Sequence, residues 1–446
     1  MGTLFGTDGV RGIANEELTV DLAYKLGRAG SSVLAREVAR PRILVGKDTR
    51  VSGDMLEAAL VSGICSVGAD ALTVGEIPTP AIAFLTGHYQ ATCGIVISAS
   101  HNPMEYNGIK FFGGGGYKLP DAIEDEIEAL VLNECLGVPF PTGGDIGKLY
   151  EVQGAEDRYV EFLVKSYQGA SLAGMTVVLD CANGAAYSVA PRVWRELGAK
   201  VISIHHQPNG ININDRCGST HPDSLRKAVI EYKADLGLAY DGDADRVLAV
   251  DERGNLIDGD EFLMICGLHL KRAGRLNPSK LVATVMSNIG LTVALRRENV
   301  EVLECGVGDR YVLERMQESG ARLGGEQSGH IIFLDYATTG DGVLSSLKLA
   351  EVLKETGLPL SELAREMEKF PQILINLDIK EKDTILNSGA VQEAIENAKR
   401  RLGETGKVLV RPSGTEPKVR IMAQGPDEYV LKEVINDIKE AILRCC

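Results

Sequence analysis

Short apolar runs alternate with amphipathic stretches over the first three quarters of the chain. The apolar runs are typical of buried strands, and they lie at residues 42–46, 94–98, 175–180, 201–205, 236–240 and 281–286. Between them, stretches such as 21–38, 121–134 and 342–356 carry apolar residues at helical spacing. Strands that alternate with helices predict α/β layers.

Breaks in this pattern predict four domains. Three apolar strands end alike, in small polar residues before a helix (VISASHNP from 96, VVLDCANGAA from 177, VATVMSNIGL from 282), which suggests three similar units. A Pro/Gly-rich stretch at 136–148 is a candidate linker, a hairpin at 246–257 closes the second unit, and the pattern changes at 369. We expect three similar mixed α/β domains at 1–148, 149–255 and 256–368, and a smaller C-terminal α+β domain at 369–446.

The composition excludes several classes of function. A chain of 446 residues exceeds the size of one hydrophobic core, and its 44% hydrophobic content indicates a globular protein. No apolar run reaches the roughly 18 residues that span a bilayer, and the N-terminus lacks a signal-peptide pattern, so we expect no membrane association. Nine cysteines without Cys-x-x-Cys spacing predict a reducing, cytoplasmic location.

The formal net charge of −15 argues against nucleic acid as a partner, because long-range repulsion opposes its binding. An anionic small molecule would have to be attracted by local basic groups. Repulsion from distant surface charge is screened beyond roughly 8 Å, so such groups can prevail. The candidates are Arg11, Arg246, Arg411 and Arg420.

A first candidate site follows the strand that ends at Ile97. The segment GIVISASHNP (94–103) places Ser98, Ser100, His101 and Asn102 on one short loop. A nucleophile at the end of a strand is accessible to a substrate. Alternatively, a serine in this position caps the next helix.

A second candidate site is the loop of LAYDGDADR (238–246). Asp241, Asp243 and Asp245 alternate directly after a buried strand, and three carboxylates in a tight loop repel one another unless a cation lies among them. Oxygen ligands on a short loop favour magnesium. An EF-hand calcium loop needs glycine at its sixth position, where this chain has Arg246. A solvated acidic turn is the alternative.

Two further loops carry candidate binding groups. RPSGTEPKVR (411–420) offers hydroxyl and backbone N–H groups among basic residues, which suits an anion; a plain hairpin turn is the alternative. In GGEQSGH (324–330), Glu326, Ser328 and His330 alternate, so an extended backbone would point all three one way, towards sugar hydroxyls. A hydrated hairpin would look similar.

Five motifs, in order along nearly the whole chain, resemble the signature of the α-D-phosphohexomutase superfamily. They are FGTDGVRG (5–12), SASHNP (98–103), DGDADR (241–246), GEQSGH (325–330) and RPSGTEP (411–417). The resemblance implies three α/β domains and a smaller fourth domain around a central cleft, each contributing one loop.

The same resemblance implies the roles of individual residues. Ser100 would be carried as phosphoserine, and one Mg²⁺ per subunit would be held by the three aspartates and the phosphoserine. Lys110, Arg11 and Arg246 would assist catalysis, although a solvated surface lysine is the alternative for Lys110. The substrate would be bound by Glu326, Ser328, His330, Gly308, Asp309, Arg411, Ser413, Gly414, Thr415 and Arg420.

Within the superfamily, three segments resemble the bacterial branch that interconverts glucosamine 6-phosphate and glucosamine 1-phosphate: VGDRYVLE (307–314), CGSTHPD (217–223) and HIIFLDYATTGDG (330–342). This implies a hexosamine phosphate substrate, a glucosamine 1,6-bisphosphate intermediate and supply of UDP-N-acetylglucosamine for cell-wall synthesis. The alternatives are a phosphomannomutase/phosphoglucomutase, a phosphatase and a non-enzymatic binding protein. Whether the chain forms a homodimer stays open.

Overall fold

The residues that the structure describes form four β-sheets, and each sheet belongs to one domain. The computed structural model describes residues 4–6, 8–34, 36, 38–379, 382–412 and 418–445, except for the side chain of Asp383. Three mixed α/β domains and a smaller fourth domain are present, as the sequence predicts. Short 3₁₀ turns lie at Gly143–Asp145, Gly218–Thr220 and Gly403–Thr405.

The first domain has a seven-stranded sheet in the order β1-β2-β6-β5-β3-β4-β7. Its strands are β1 (Phe5–Gly6), β2 (Gly9–Ile13), β3 (Arg42–Lys47), β4 (Asp70–Glu76), β5 (Cys93–Ile97), β6 (Tyr106–Gly113) and β7 (Leu149–Glu151). Its helices are α1 (Val20–Leu34), α2 (Ser52–Ser66), α3 (Thr79–His88) and α4 (Asp121–Leu132). Gly63 allows helices α1 and α2 to approach closely, since a Cβ at this position would lie only 2.1 Å from the Tyr24 carbonyl oxygen.

The second domain has a five-stranded sheet in the order β12-β11-β10-β8-β9. Its strands are β8 (Thr176–Asp180), β9 (Lys200–Ile204), β10 (Leu236–Tyr240), β11 (Val247–Val250) and β12 (Leu256–Ile257), and its helices are α5 (Ala155–Ser166), α6 (Ala186–Glu196) and α7 (Asp223–Tyr232).

The third domain has a four-stranded sheet in the order β14-β13-β15-β16. Its strands are β13 (Lys280–Thr284), β14 (Glu301–Cys305), β15 (Leu323–Gly325) and β16 (Ile331–Phe333). Its helices are α8 (Gly259–Arg272), α9 (Ile289–Arg296), α10 (Asp309–Ser319), α11 (Gly342–Thr356) and α12 (Leu360–Ala364).

These three domains share one four-stranded motif. In each, three parallel strands stand in the order second, first, third, and a fourth strand pairs antiparallel with the third: β4-β3-β5-β6, β9-β8-β10-β11 and β14-β13-β15-β16. The inferred repeat is therefore present. However, the three strand ends that look alike in the sequence are not equivalent in the fold. Strand β5 is the third strand of its motif, whereas β8 and β13 are first strands.

The fourth domain is a three-stranded antiparallel sheet in the order β17-β19-β18, with three helices. Its elements are β17 (Gln372–Asp378), α13 (Lys382–Leu386), α14 (Gly389–Leu402), β18 (Lys407–Pro412), β19 (Lys418–Gln424) and α15 (Glu428–Arg444). This domain has its own apolar core, whereas the largest core cluster runs through the first three domains.

Two of the sheets extend slightly beyond the domain bounds that the sequence predicts. Strand β7 pairs with β4, so the first sheet extends to residue 151, beyond the expected boundary at 148. Strand β12 pairs with β11, so the second sheet extends to residue 257, beyond 255. Both strands lie at sheet edges and have only three and two residues, which is too short for a strand pattern to reveal them in the sequence.

Candidate active site

Three of the predicted loops occupy the same place in the shared motif. The serine loop joins β5 to β6, the aspartate loop joins β10 to β11, and the Glu326–His330 segment joins β15 to β16. Each loop therefore leaves the carboxyl end of the motif's third strand, where sites in α/β proteins usually form. The fourth loop joins β18 to β19.

Ser100 is buried and its hydroxyl contacts the aspartate loop of the second domain. Its Oγ donates to Asp241 Oδ2 at 2.6 Å and lies 3.2 Å from His101 Nδ1. Its φ of 50° is left-handed, which is uncommon for a residue other than glycine. Burial and the charges of Arg246 and Arg11 lower the pKa of His101 to about 4, so this ring is neutral at pH 7.

Ser98 supports Ser100. The Ser98 hydroxyl donates to Asp48 Oδ2 at 2.7 Å and accepts a hydrogen bond from the Ser100 N–H at 2.9 Å. The two serines therefore do not present equivalent hydroxyls: one is bound to a buried carboxylate of its own domain, and the other reaches the second domain. Asp48 was missed from sequence, although it follows an apolar strand as the predicted polar residues do.

Asp241, Asp243 and Asp245 form a buried group, with one carboxylate oxygen of each within 4.8 Å of the others. Thr79 Oγ1 donates to Asp243 Oδ2 at 2.7 Å. The Oδ1 atoms of Asp243 and Asp245 are buried without a hydrogen-bond partner. Burial, followed by the charges of Asp245 and Asp243, raises the pKa of Asp241 well above its usual value.

This donor set fits a hard divalent cation. Unpartnered buried carboxylate oxygens are costly, and a cation among them would satisfy both their charge and their lone pairs. The arrangement also excludes the solvated turn, because all three side chains are buried.

A second group, Asp180, His205 and Cys217, has similar spacing, but both oxygens of its aspartate already accept hydrogen bonds from the backbone. Asp180 Oδ1 accepts from the Ala182 N–H and Oδ2 from the Gly218 N–H, both at 3.0 Å. His205 Nδ1 also lies 3.1 Å from Oδ2. We interpret this group as a network that shapes loops.

Lys110 lies in the site and is buried, so the solvated-lysine alternative is wrong. Its Nζ lies 3.0 Å from Asp243 Oδ2 and 2.8 Å from Asp8 Oδ2. Burial opposes its charge, but Asp243 and Asp8 outweigh this and raise the pKa of Lys110 above its ordinary value. Lys110 is therefore held as a cation between these two carboxylates.

Asp8 joins the N-terminal loop to this cluster. Its carboxylate accepts from Arg11 Nη2 at 2.8 Å and from Lys118 Nζ at 2.6 Å, in addition to Lys110. Burial opposes ionisation, yet these three cations hold the pKa of Asp8 well below its usual range. Asp8 and Lys118 were missed from sequence; Asp8 lies within the FGTDGVRG motif, whereas Lys118 follows a glycine run without chemical signal.

Arg246 flanks the aspartates as predicted. Its backbone N–H donates to Asp241 Oδ1 at 3.2 Å, and its guanidinium Nε lies 3.8 Å from Asp245 Oδ1. The side chain is about a quarter exposed, so it combines contact with the acidic cluster and access to solvent.

The Glu326–His330 segment is a tight turn, so the expected extended row of three side chains is wrong. The Gly329 N–H donates to the Glu326 carbonyl, and the chain reverses from β15 into β16. Ser328 is exposed. His330 is buried, and because its Nε2 accepts from the Gly340 N–H, Nδ1 carries the proton and faces Asp245 Oδ2 at 3.5 Å.

Gly308 and Asp309 lie beside this turn. The Gly308 N–H donates to Glu326 Oε1 at 3.1 Å, which brings the two predicted sugar-binding segments together. Asp309 forms an ion pair with Lys118 of the first domain and lies 3.7 Å from His330 Nε2. Its carboxylate is therefore already paired with a cation of the first domain.

Arg411 and Arg420 stand directly opposite each other on β18 and β19. Burial and the Arg420 charge lower the pKa of Arg411. Two guanidinium groups on facing strands offer charge and several N–H donors to one phosphate, so the pair suits a phosphate. The predicted Ser413, Gly414 and Thr415 lie outside the described residues.

No helix in the described part of the chain is long and apolar enough to cross a membrane. The comparison with known families matches four models, described as phosphoglucomutase/phosphomannomutase alpha/beta/alpha domains I, II and III and C-terminal domain. They match residues 2–136, 157–254, 258–370 and 374–441, respectively.

Three similar proteins illustrate the likeness. The chain is 65% identical over 447 residues to a phosphoglucosamine mutase of Syntrophomonas wolfei, covering 100% of this chain and 99% of the relative. It is 56% identical to that of Desulforamulus reducens, covering 99% of each. A solved structure of a phosphoglucomutase/phosphomannomutase family protein from Burkholderia thailandensis superposes with a TM-score of 0.81 at 26% identity, covering 98% of this chain and 97% of the other.

Proposed function

Because the chain belongs to the phosphoglucomutase/phosphomannomutase family, we propose that it is a phosphoglucosamine mutase. It interconverts glucosamine 6-phosphate and glucosamine 1-phosphate in the cytoplasm through a phosphoserine and glucosamine 1,6-bisphosphate. The full-length identity to proteins of that name supports the substrate. The observation that carries the chemistry is the Ser100 hydroxyl, 2.6 Å from Asp241 in a buried acidic cluster.

The cation in this proposal is Mg²⁺, bound by Asp241, Asp243, Asp245 and an oxygen of phosphorylated Ser100. When bound, it neutralises charge on the phosphoryl group during transfer. The protein's own cations contribute to the same end. Lys110 is held in place by Asp8 and Asp243, and Arg246 is anchored beside the aspartates with its guanidinium partly exposed.

The reaction consists of two transfers. In the first, the bond from Ser100 Oγ to phosphorus breaks, and a bond forms from phosphorus to the free hydroxyl oxygen of the sugar phosphate. The sugar hydroxyl loses its proton, and Ser100 Oγ takes one up as it becomes a hydroxyl group. In the second, the bisphosphate returns its other phosphoryl group to Ser100. The sugar must therefore bind in two orientations, with either end at Ser100.

The remaining loops bind the parts of the sugar that do not react. Arg411 and Arg420, together with Ser413, Gly414 and Thr415, hold the far phosphate. Glu326, which lies beside Gly308 and Asp309, accepts hydrogen bonds from the 2-ammonium group of the sugar. His330 holds the turn in place through its contact with Asp245. Because Asp309 is already paired with Lys118, Glu326 is the main carboxylate in this assignment.

Turnover measurements test the proposal. Purified protein with Mg²⁺ and a catalytic amount of bisphosphate should convert glucosamine 6-phosphate to the 1-phosphate. Release of inorganic phosphate as the main product would indicate a phosphatase instead, because a phosphatase admits water to the phosphoserine.

A further inference from the structure

Arg50 is buried beneath the serine loop, and its side chain is 0% exposed. Its Nη2 donates to the carbonyl oxygens of Ser100 at 3.0 Å and Asn102 at 2.8 Å. Its Nη1 donates to the carbonyl oxygens of Tyr106, at 3.0 Å, and Pro103. Nε donates to Asp48 Oδ2 at 2.9 Å, so all five N–H donors of the guanidinium group are used.

These contacts fix both peptide groups that flank the Ser100 side chain. The Ser100 N–H is held by Ser98, whose hydroxyl also binds Asp48. The Ser100 carbonyl oxygen is held by Arg50 and by Asn214 Nδ2, at 2.8 Å, from the second domain. Arg50 thus connects three parts of the loop: Ser98 at its start, through Asp48, Ser100 in its middle, and Tyr106 at its end.

The loop needs such support because Ser100 has a left-handed backbone, with φ of 50°. A non-glycine residue keeps this conformation only where its surroundings enforce it. If the loop relaxed, the hydroxyl would leave the position in which it contacts Asp241. A lysine cannot replace the guanidinium fully, because its three donors cannot reach four carbonyl oxygens and a carboxylate.

We propose that Arg50 is the positioning residue of the serine loop, which holds Ser100 in reach of the aspartate cluster in both its free and its phosphorylated state. This inference rests on the proposed phosphoryl transfer at Ser100. It assigns Arg50 no contact with substrate. Its loss should therefore lower kcat and leave binding of the sugar phosphate nearly unchanged.

The experiment compares Arg50→Met and Arg50→Lys with a matched control, Arg28→Met. Arg28 is also buried in the first domain, but it donates to the Val138 carbonyl oxygen and lies over the Phe140 ring. For each variant we would measure kcat, KM for glucosamine 6-phosphate, the melting temperature, and hydrogen exchange of the amides at 98–107.

We expect Arg50→Met to lower kcat about 100-fold, with KM changed by less than about threefold. Arg50→Lys should recover part of that loss, to within about tenfold of the wild type. The loop amides should exchange faster in both variants. Arg28→Met should lower the melting temperature without these effects. If Arg50→Met does not fold, the kcat and loop-amide exchange of Arg50→Lys test the proposal, because this variant keeps the buried charge.

The proposal is overturned if kcat of the Arg50 variants falls no further than that of Arg28→Met, or if the exchange of the loop amides is unchanged. Failure of the proposed function has a different signature, since the wild-type protein itself would then not turn over glucosamine 6-phosphate. The hydrogen-exchange comparison would still test Arg50 in that case.

Discussion

Ser100 of the first domain donates a hydrogen bond to Asp241 of the second, across 2.6 Å. The two residues are 141 positions apart, yet they occupy the same connection of the shared four-stranded motif. The interface between the domains is fixed close by, because Thr79 binds Asp243 through both its hydroxyl and its N–H group. A nucleophile and a cation site are thus brought together by the packing of two similar units.

The phosphate should be carried by Ser100 and not by Ser98. Intact-mass and peptide analysis should find one phosphoryl group, about 80 Da, on Ser100. Ser100→Ala should be inactive. Ser98→Ala should be phosphorylated but slower, because it loses the hydrogen bonds to Asp48 and to the Ser100 N–H. A phosphate on Ser98, with Ser100→Ala still active, would contradict the assignment.

Replacing Asp241 should have opposite effects on stability with and without metal. Without metal, Asp241→Asn removes repulsion from two buried carboxylates, so its melting temperature should exceed that of the wild type. With saturating Mg²⁺ the wild type should be stabilised and the variant much less so, and kcat should fall at least about a hundredfold. Thermal denaturation in EDTA and in Mg²⁺ measures both effects.

The control for this experiment is Asp180→Asn, which changes a buried aspartate whose oxygens bind backbone N–H groups. It should keep the Mg²⁺-dependent increase in melting temperature. If Asp241→Asn responds to Mg²⁺ as the wild type does, the three aspartates are not the cation site.

The sequence predicts the parts of this site that lie within one short segment. Ser100 and the three aspartates follow apolar strands directly, so their placement at a sheet edge depends only on local pattern. Thr79 and Lys118 join the site through contacts between distant segments, and no local spacing reveals them. Asp48 and Asp8 do carry a local signal, since one follows an apolar strand and the other lies within a motif, but only the fold shows which groups they contact. The same limit explains the Glu326–His330 turn, because alternation along the chain indicates a common face only if the backbone is extended.

Asp341 should make the packing of the second and third domains sensitive to pH. Tyr159 on α5 donates to its Oδ2 at 2.7 Å, and burial raises the pKa of Asp341 to about 6 from its usual 3.8. The folded state therefore binds the proton more tightly, and this group's contribution to stability declines as the pH rises from about 4 to 6.

Asp341→Asn removes this titration and still offers an oxygen to the Leu344 N–H. Its free energy of unfolding, relative to the wild type, should therefore increase with pH over that range, by up to about 3 kcal/mol. Urea unfolding of both proteins at several pH values measures the difference. A difference that does not vary with pH would show that Asp341 has an ordinary pKa.

Arg411 should contribute mainly to binding of the non-reacting phosphate. Since that contact is present in both the ground state and the transition state, Arg411→Ala should raise KM roughly ten- to a hundredfold and change kcat less. Inorganic phosphate should raise the melting temperature of the wild type more than that of the variant, because Arg411→Ala removes one of the two cations that attract the anion. An unchanged KM would place the phosphate elsewhere.

The preferred substrate should be an amino sugar phosphate, and Glu326 should account for the preference. A half-buried carboxylate gains a charge-assisted hydrogen bond from a 2-ammonium group that a 2-hydroxyl group cannot match, which corresponds to roughly ten- to a hundredfold in kcat/KM. Glu326→Gln keeps the size of the side chain and an oxygen that can accept from the Gly308 N–H. It should therefore lower kcat/KM for glucosamine 6-phosphate far more than for glucose 6-phosphate. Parallel assays with glucosamine, glucose and mannose phosphates measure this difference, and equal turnover of mannose phosphate by the wild type would instead favour a phosphomannomutase with the same mechanism.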